Sequence, residues 1–396
     1  MSFLSVWLVA QTLSVILVWV FTIGLGRKPS LERTPRVAVI VAVKGHDYEF
    51  DGFLERLFAQ DYPAYRVIFA VEAADDPAVP AIDRYRAQAP DRIALVVAGH
   101  SVDEGQKTTN LRAALTALVP TDEILVFADA DIWTEPDWLQ RLVEPLVRGD
   151  ADVVSGFTWL VVHDRRLSTF VLTSMSASVI TIPRWSFINA AWGGSTAIRH
   201  DRFDELDMRN RWRGTLSDDL HLTNVLQQAG YEIAAPREIL PRTPITTNGF
   251  ADVSAQARRW YMLVRVYMPV VYGLIVGTMS FVALGWIVAL ADTVTATPGG
   301  LTTLLLGLLL SILRSGGRAA IVWRLWGKPG LIENQWFLLA DPFVAPLAVV
   351  ASAAFGWSAL FMTRTVWAGI GYEITGPQSV KVLRREPNRD VTVTGQ

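Results

Sequence analysis

The sequence predicts an α/β protein: a doubly wound, mostly parallel sheet inserted between an N-terminal transmembrane helix and C-terminal transmembrane or interfacial helices. Three observations predict it. Residues 3–26 carry no charged side chain, and three more uncharged runs, 266–291, 293–313 and 342–363, crowd the last third. Between them, short β-branched runs alternate with helical stretches. Hydrophobic residues make up 51% of the 396 positions and charged residues only 19%, with 15 tryptophans, a composition that suits a chain partly dissolved in lipid.

The first run reaches about 36 Å at ~1.5 Å per residue, enough for the hydrocarbon layer. It is too long for a signal peptide, and no basic region precedes it. Arg27, Lys28, Arg33 and Arg36 follow, which places that end in the cytoplasm. In the C-terminal third, Trp323, Arg324, Trp326 and Lys328 form a mixture suited to headgroup depth. Four full crossings would put Lys381, Arg384, Arg385 and Arg389 on the side of the N-terminus, against the charge rule. One C-terminal segment is therefore expected to be re-entrant or interfacial, with Asp341-Pro342 as the break. The Ser- and Thr-rich stretch within 167–190 is short for a span and is expected as an interfacial helix facing the bilayer.

The middle of the chain changes character. Residues 37–43, 67–71, 93–97 and 124–128 are continuous apolar runs, the pattern of strands buried on both faces. Helical stretches at 50–59, 79–88 and 108–118 separate them, so the units are βαβ and the sheet is doubly wound. The expected organisation is an anchor at 1–27, a cytoplasmic domain at 34–265, membrane or interfacial helices at 266–363 and a cytoplasmic tail at 364–396.

Several functions lose their basis. A formal charge of −2 offers no field for nucleic acid, and the absence of cysteine excludes disulfides, thiolate zinc sites and a cysteine nucleophile. Neither a dinucleotide-binding G-x-G-x-x-G nor a P-loop occurs. The five histidines show no ligand spacing.

In such sheets ligands gather at the carboxyl ends of strands. Asp129 and Asp131 follow a buried strand at i, i+2, so both carboxylates can face one hard cation; alternatively Asp131 merely starts a turn. Thr134 and Asp137 read as the N-cap and capping partner of a helix over 135–146. Ser217-Asp218-Asp219 precedes a helical face ended by Gly230, with Asp218 as cap and Asp219 turned toward a substrate as general base. Gln256, Arg259 and Trp260 fall within one turn, a set that suits a diphosphate and an acceptor, or else a basic flank at a membrane end. Lys44 and Lys107 sit at loop positions near the site, and Gly193-Gly194 before a short strand at 196–198 suits backbone approaching a ligand.

Taken in this order, the motifs resemble family 2 glycosyltransferases of the GT-A type, a Rossmann-like sheet, and most nearly ceramide glucosyltransferases and related bacterial lipid glycosyltransferases. The stretches that carry the resemblance include Val43-Lys44-Gly45, Gln60 to Tyr65, Asp75 to Ala78, Lys107 to Leu111, Asp129-Ala130-Asp131, Asp218-Asp219 and Gln256 to Trp260. Trp367 to Tyr372 completes the set. The resemblance implies a membrane-bound inverting enzyme at the cytoplasmic face of a bacterial inner membrane, moving one sugar, glucose by analogy, from a UDP-sugar to a lipid hydroxyl such as that of ceramide. It implies Mg2+ or Mn2+ on Asp129 and Asp131, and Asp219 as base with Asp218 beside it. Gln256, Arg259 and Trp260 would line the diphosphate and acceptor side, Lys44, Lys107 and Gly194 the donor. The family carries aspartate where this chain has Ala73, which leaves Glu72 or Asp75 for the uracil side. A processive polysaccharide synthase shares the motifs but needs a translocation channel; a non-catalytic nucleotide-sugar-binding membrane protein is the alternative from another class.

Overall fold

The computed structural model describes residues 2–47, 49–182 and 189–386. The chain divides into two units. One comprises Lys28–Thr158, Arg184–Thr243 and Thr363–Gln396; the other comprises Met1–Arg27, Trp159–Pro183 and Pro244–Met362. In chain order the first elements are α1 (Phe3–Phe21), β1 (Val37–Ala42), α2 (Phe50–Phe58), β2 (Tyr65–Val71), α3 (Val79–Gln88), β3 (Ile93–Val97), α4 (Gln106–Ala114) and β4 (Ile124–Asp129). Then come α5 (Trp138–Arg148), β5 (Val153–Ser155), β6 (Trp159–Val162), α6 (Leu167–Ile180), β7 (Ser195–Arg199), α7 (His200–Glu205), α8 (Met208–Arg211) and α9 (Asp218–Gln228). The last are β8 (Ile233–Ala234), β9 (Arg242–Ile245), α10 (Phe250–Tyr267), α11 (Pro269–Val294), α12 (Gly300–Ala359), β10 (Arg364–Trp367), β11 (Ile370–Gly376) and β12 (Ser379–Arg385).

The α/β unit is built on a seven-stranded sheet in the order β3-β2-β1-β4-β7-β5-β8. Strands β3, β2, β1 and β4 are parallel, while β7 runs against both of its neighbours, β4 and β5. The continuous apolar runs are explained by burial on both faces. Val37, Val39 and Val41 pack with α2, α3 and α5 on one face, while Ala38 and Ile40 pack with α4 and α9 on the other. The chain goes from β1 outward through β2 and β3, then returns to place β4 on the other flank of β1. The strand order therefore reverses between β1 and β4, which is where such sheets open a crevice.

Two local expectations are corrected here. The helix expected at 135–146 is α5, beginning at Trp138, and Asp137 makes no side-chain cap. Thr134 Oγ1 instead accepts from Gln60 Nε2 at 3.0 Å, so a long-range bond wins over the local one. Residues 364–385, expected as a tail, form an antiparallel sheet in the order β10-β11-β12 within the α/β unit. Positions 387–396 of that stretch lie outside the described residues.

The second unit is mainly helical, with strand β6 at the start of its middle segment. Three of its helices, α1, α11 and α12, are long and apolar enough to cross a membrane. Trp7 of α1 is fully buried, edge-on to Trp286 of α11 at 5.0 Å, and a Cβ on Gly307 would stand 2.6 Å from its ring. Small residues thus let these helices close around an indole. The break in α12 is at Gly327 (φ 62), with Pro329 starting the second half, and not at Asp341-Pro342 as the sequence suggested. Glycine reaches that φ without strain and the proline starts a new helix, whereas Pro342 is carried inside the helix. The carbonyl of Pro342 accepts from Ser311 Oγ at 2.8 Å.

Asp341 is instead the centre of a buried polar knot. Both of its oxygens accept from Arg318 Nη1, and Ser174 and Ser315 donate to it as well. Ser174 belongs to α6, the helix within the stretch 167–190 expected at the membrane interface. α6 is mostly buried within its own unit, and the Ser174 hydroxyl there meets a buried partner, Asp341. Positions 183–188 of that stretch lie outside the described residues. α10, expected at the end of the cytoplasmic domain, also belongs to the helical unit.

Candidate functional site

Register decides what meets at the crevice. Ala42 of β1 pairs with Asp129 of β4 on one side and with Ala70 of β2 on the other. Two residues further along, Lys44 and Glu72 stand level, and Lys44 Nζ donates to Glu72 Oε1. Ala128 pairs with Ser195 at the start of antiparallel β7, which brings Gly193 beside the end of β4. Each of these positions follows from strand length and pairing alone.

The core of the site is an ion cluster. Lys107, on the first turn of α4, lies 2.7 Å from Asp129 Oδ1 and 3.4 Å from Asp218 Oδ1. The lysine and Asp218 are largely withdrawn from water. Burial alone would lower the lysine's pKa, but Asp129, Asp218 and Asp219 more than reverse that, and it stays charged. Asp218 is pushed up to about 7, by burial first, with Lys107 opposing and the charges of Asp219 and Asp129 adding to the rise.

The cap expected of Asp218 is made by its two neighbours, Ser217 and Asp219. The cap of α9 is Ser217, whose Oγ accepts from the Leu220 N–H, joined by Asp219 Oδ1 accepting the same N–H at 2.7 Å. Asp219 Oδ2 accepts from the Gly193 N–H at 3.2 Å. Asp218 caps nothing and turns into the cluster instead. Asp219 is the half-exposed member of the pair and Asp218 the buried one.

Of the two glycines, Gly193 and not Gly194 approaches the site. A Cβ on Gly193 would lie 2.7 Å from both Asp218 Oδ2 and Lys107 Nζ, whereas Gly194 makes room for the indole of Trp192. Similarly, Asp75 is exposed, while its neighbour Asp76 is buried and accepts from the backbone N–H groups of Gly45 and Ala78. Asp76 therefore fixes the loops after β1 and β2. Between Glu72 and Asp75, Glu72 is the residue that belongs to this corner.

Glu72 has a partner that sequence reasoning missed. Arg385, the last residue of β12, donates from Nη1 to Glu72 Oε2 at 3.0 Å. Its Nη2 donates to Ser101 O, Ser101 Oγ and Gln106 Oε1. The only signal in the sequence was a run of charge at 384–386 in a stretch that looked like a tail.

Asp131 follows β4 and reaches solvent. The protein crowded around it, together with the charges of Asp129 and Asp47, raises its carboxyl above the usual range. Among the described residues no group of three or more His, Cys, Asp or Glu side chains is arranged to hold a metal ion. The donor chemistry still suits one: Asp129 and Asp131 are hard oxygen ligands that repel each other, and a divalent cation would relieve that repulsion. Gln256, Arg259 and Trp260 lie on α10 in the helical unit, each half-buried, and the ion cluster is built without them.

The family model described as glycosyl transferase family 21 matches residues 2–376. The sequence resemblance pointed to family 2, and the matched family is 21. Among solved structures, the chain is similar to a mannosyltransferase, PcManGT from Pyrobaculum calidifontis, in complex with GDP-Man and Mn2+. Identity is 18% and the TM-score 0.47, covering 90% of this chain and 98% of that one. It is also similar to S. aureus TarS in complex with UDP-GlcNAc, at 10% identity and a TM-score of 0.39, covering 89% of this chain and 100% of that one.

Proposed function

The chain belongs to glycosyltransferase family 21, and from that premise we propose that it is a membrane-bound glycosyltransferase that moves one sugar from a UDP-sugar to a lipid hydroxyl by a single inverting displacement. The observation that carries this is the convergence of Lys107, Asp129 and Asp218 at the strand-order reversal between β1 and β4. Three apolar helices in the same chain supply a reason for the acceptor to be a lipid. The proposed location is the cytoplasmic face of a bacterial inner membrane. Ceramide or another lipid with a hydroxyl at headgroup depth would serve as acceptor, with glucose the sugar carried over from the sequence resemblance.

The residues then have separate tasks. Asp219 takes the proton of the acceptor hydroxyl; it is the more accessible carboxylate, and Oδ2 is held in place by the Gly193 N–H. Lys107 holds Asp129 and Asp218 in position and removes part of their charge. One ammonium against Asp129, Asp131, Asp218 and Asp219 still leaves an excess of carboxylates, which would repel a diphosphate. Mg2+ or Mn2+ held by Asp129 and Asp131 would supply the missing positive charge and stabilise the departing UDP. Glu72, level with Lys44, would take the nucleotide end. From the motif alone, Gln256, Arg259 and Trp260 are carried as diphosphate and acceptor residues.

The test is release of UDP from a set of UDP-sugars by the detergent-solubilised protein with a membrane lipid extract. Turnover should need lipid and a divalent ion, and Asp219→Asn should lower it by about 10²–10⁴-fold, the usual weight of a general base. UDP bound tightly without turnover would instead favour a binding protein, and a water-soluble polymer product would favour a processive synthase.

A further inference from the structure

We propose that Arg385 is a positioning residue of the donor site, and that the C-terminal sheet β10-β11-β12 is a wall of that site. This deepens the reading above and rests on it. Arg385 lies beyond the segment that the family model matches.

Arg385 joins two structures that the donor needs. Through Nη1 it holds Glu72, whose other oxygen is taken by Lys44. Through Nη2 it holds Gln106, the residue just before Lys107 on the first turn of α4. Gln106 Oε1 also accepts from the Ser101 N–H, while its Nε2 donates to Gly99 O and Asn110 Oδ1. The Gln106 backbone N–H donates to Tyr372 Oη of β11 at 3.2 Å. Asn110 in turn donates to the carbonyls of Val43 and Ala70, at the ends of β1 and β2. A continuous set of hydrogen bonds thus runs from the C-terminal sheet to both the Lys44–Glu72 corner and the start of the helix that carries Lys107.

The sheet is fastened on a second side. The Val382 N–H donates to Val102 O at 3.0 Å. At the turn between β11 and β12, Gln378 Nε2 donates to the carbonyls of Arg211 and Arg213. Gly214, at φ +74, lets the Gln378 carbonyl approach so closely that a Cβ would stand 2.7 Å from it. That loop leads directly into Ser217 and Asp218. The sheet therefore holds the loops on both flanks of the ion cluster, and on the Glu72 side it does so with an arginine fork that a lysine cannot reproduce.

The experiment titrates UDP into the full-length solubilised protein and measures donor kinetics for wild type, Arg385→Ala, Arg385→Lys and Tyr372→Phe. Arg385→Ala should weaken UDP binding and raise the donor KM by about tenfold or more, with a smaller change in kcat, since all four charge-assisted hydrogen bonds of the guanidinium are lost. Arg385→Lys should recover part of the loss, because it keeps the charge on Glu72 but not the fork. Tyr372→Phe, the milder change, leaves the buried Gln106 N–H without its acceptor, and should raise the UDP Kd by a few-fold with a smaller fall in thermal midpoint than Arg385→Ala. Wild-type affinity in Arg385→Ala overturns the proposal and leaves the donor reading intact. So does a lower thermal midpoint with equal loss in all kinetic constants, which marks a purely structural role. Failure of the wild-type protein to bind UDP overturns both.

Discussion

Lys107 Nζ stands 2.7 Å from Asp129 Oδ1, so the first turn of α4 is tied to the last residue of β4 across the point where the strand order reverses. The same ammonium also faces Asp218 from the start of α9. Three separate segments depend on one charge.

Lys107→Met should therefore abolish turnover and also destabilise the α/β unit. Removing one partner of a buried ion pair leaves the other charge uncompensated, at a cost of about 3–5 kcal/mol. Denaturant unfolding should move to a lower midpoint. An unchanged midpoint would mean that the pair is held open to water.

Gly193→Ala tests the packing of the cluster. The new methyl would lie 2.7 Å from Asp218 Oδ2 and Lys107 Nζ, so one of them must move. Overpacking of this kind costs about 1–3 kcal/mol, and activity should fall more than stability. Gly194→Ala meets the Trp192 ring instead and should affect stability first. Comparing kcat and thermal midpoint for the two variants separates the roles.

The Asp218 carboxyl gives a pH signature. Burial, opposed by Lys107, pushes it up to about 7 from an ordinary value of 3.8. Between those values the native chain holds a proton that the unfolded chain has released. Stability therefore falls as the pH rises through this window, and the loss is complete above about pH 7. Asp218→Asn has no such penalty. Its thermal midpoint relative to wild type should rise from about pH 4 to about pH 7 and be flat on either side. A difference that does not vary with pH contradicts the assignment.

In the helical unit, Asp341→Asn should cost about 3–5 kcal/mol, because Arg318 at 2.5 Å would be left buried without its counter-charge. Thermal unfolding in detergent reads this directly. The paired change to Asp341→Leu with Arg318→Leu should recover most of the loss.

How much of this the sequence shows depends on the range of the interactions involved. The strands β1 to β4 are legible because burial on both faces writes a continuous apolar run, and Asp129 is legible because it ends such a run. α9 is legible through the run Ser217-Asp218-Asp219 and Gly230, which mark its two ends locally, though the cap is Ser217 where the sequence suggests Asp218. The roles of Asp218 and Asp219 are not, because they depend on Lys107 and Gly193, which are distant in sequence. Arg385 is hidden for the same reason: its partners Glu72 and Gln106 come from the first half of the α/β unit. Thr134 and Asp137 show the converse error, a good local cap signal overruled by Gln60. The buried knot at Asp341 was misread because a proline after an aspartate looks like a helix break when the Arg318 partner is not in view.

The most direct test follows a radiolabelled sugar from its nucleotide into lipid. The purified chain is incubated with a labelled UDP-sugar, Mg2+ or Mn2+ and a lipid extract, and the organic phase is counted. Label should pass into the organic phase with wild-type protein and stay in the aqueous phase with Asp219→Asn or Asp131→Asn. Full transfer by either variant, or none by the wild-type protein with any UDP-sugar offered, would contradict the account.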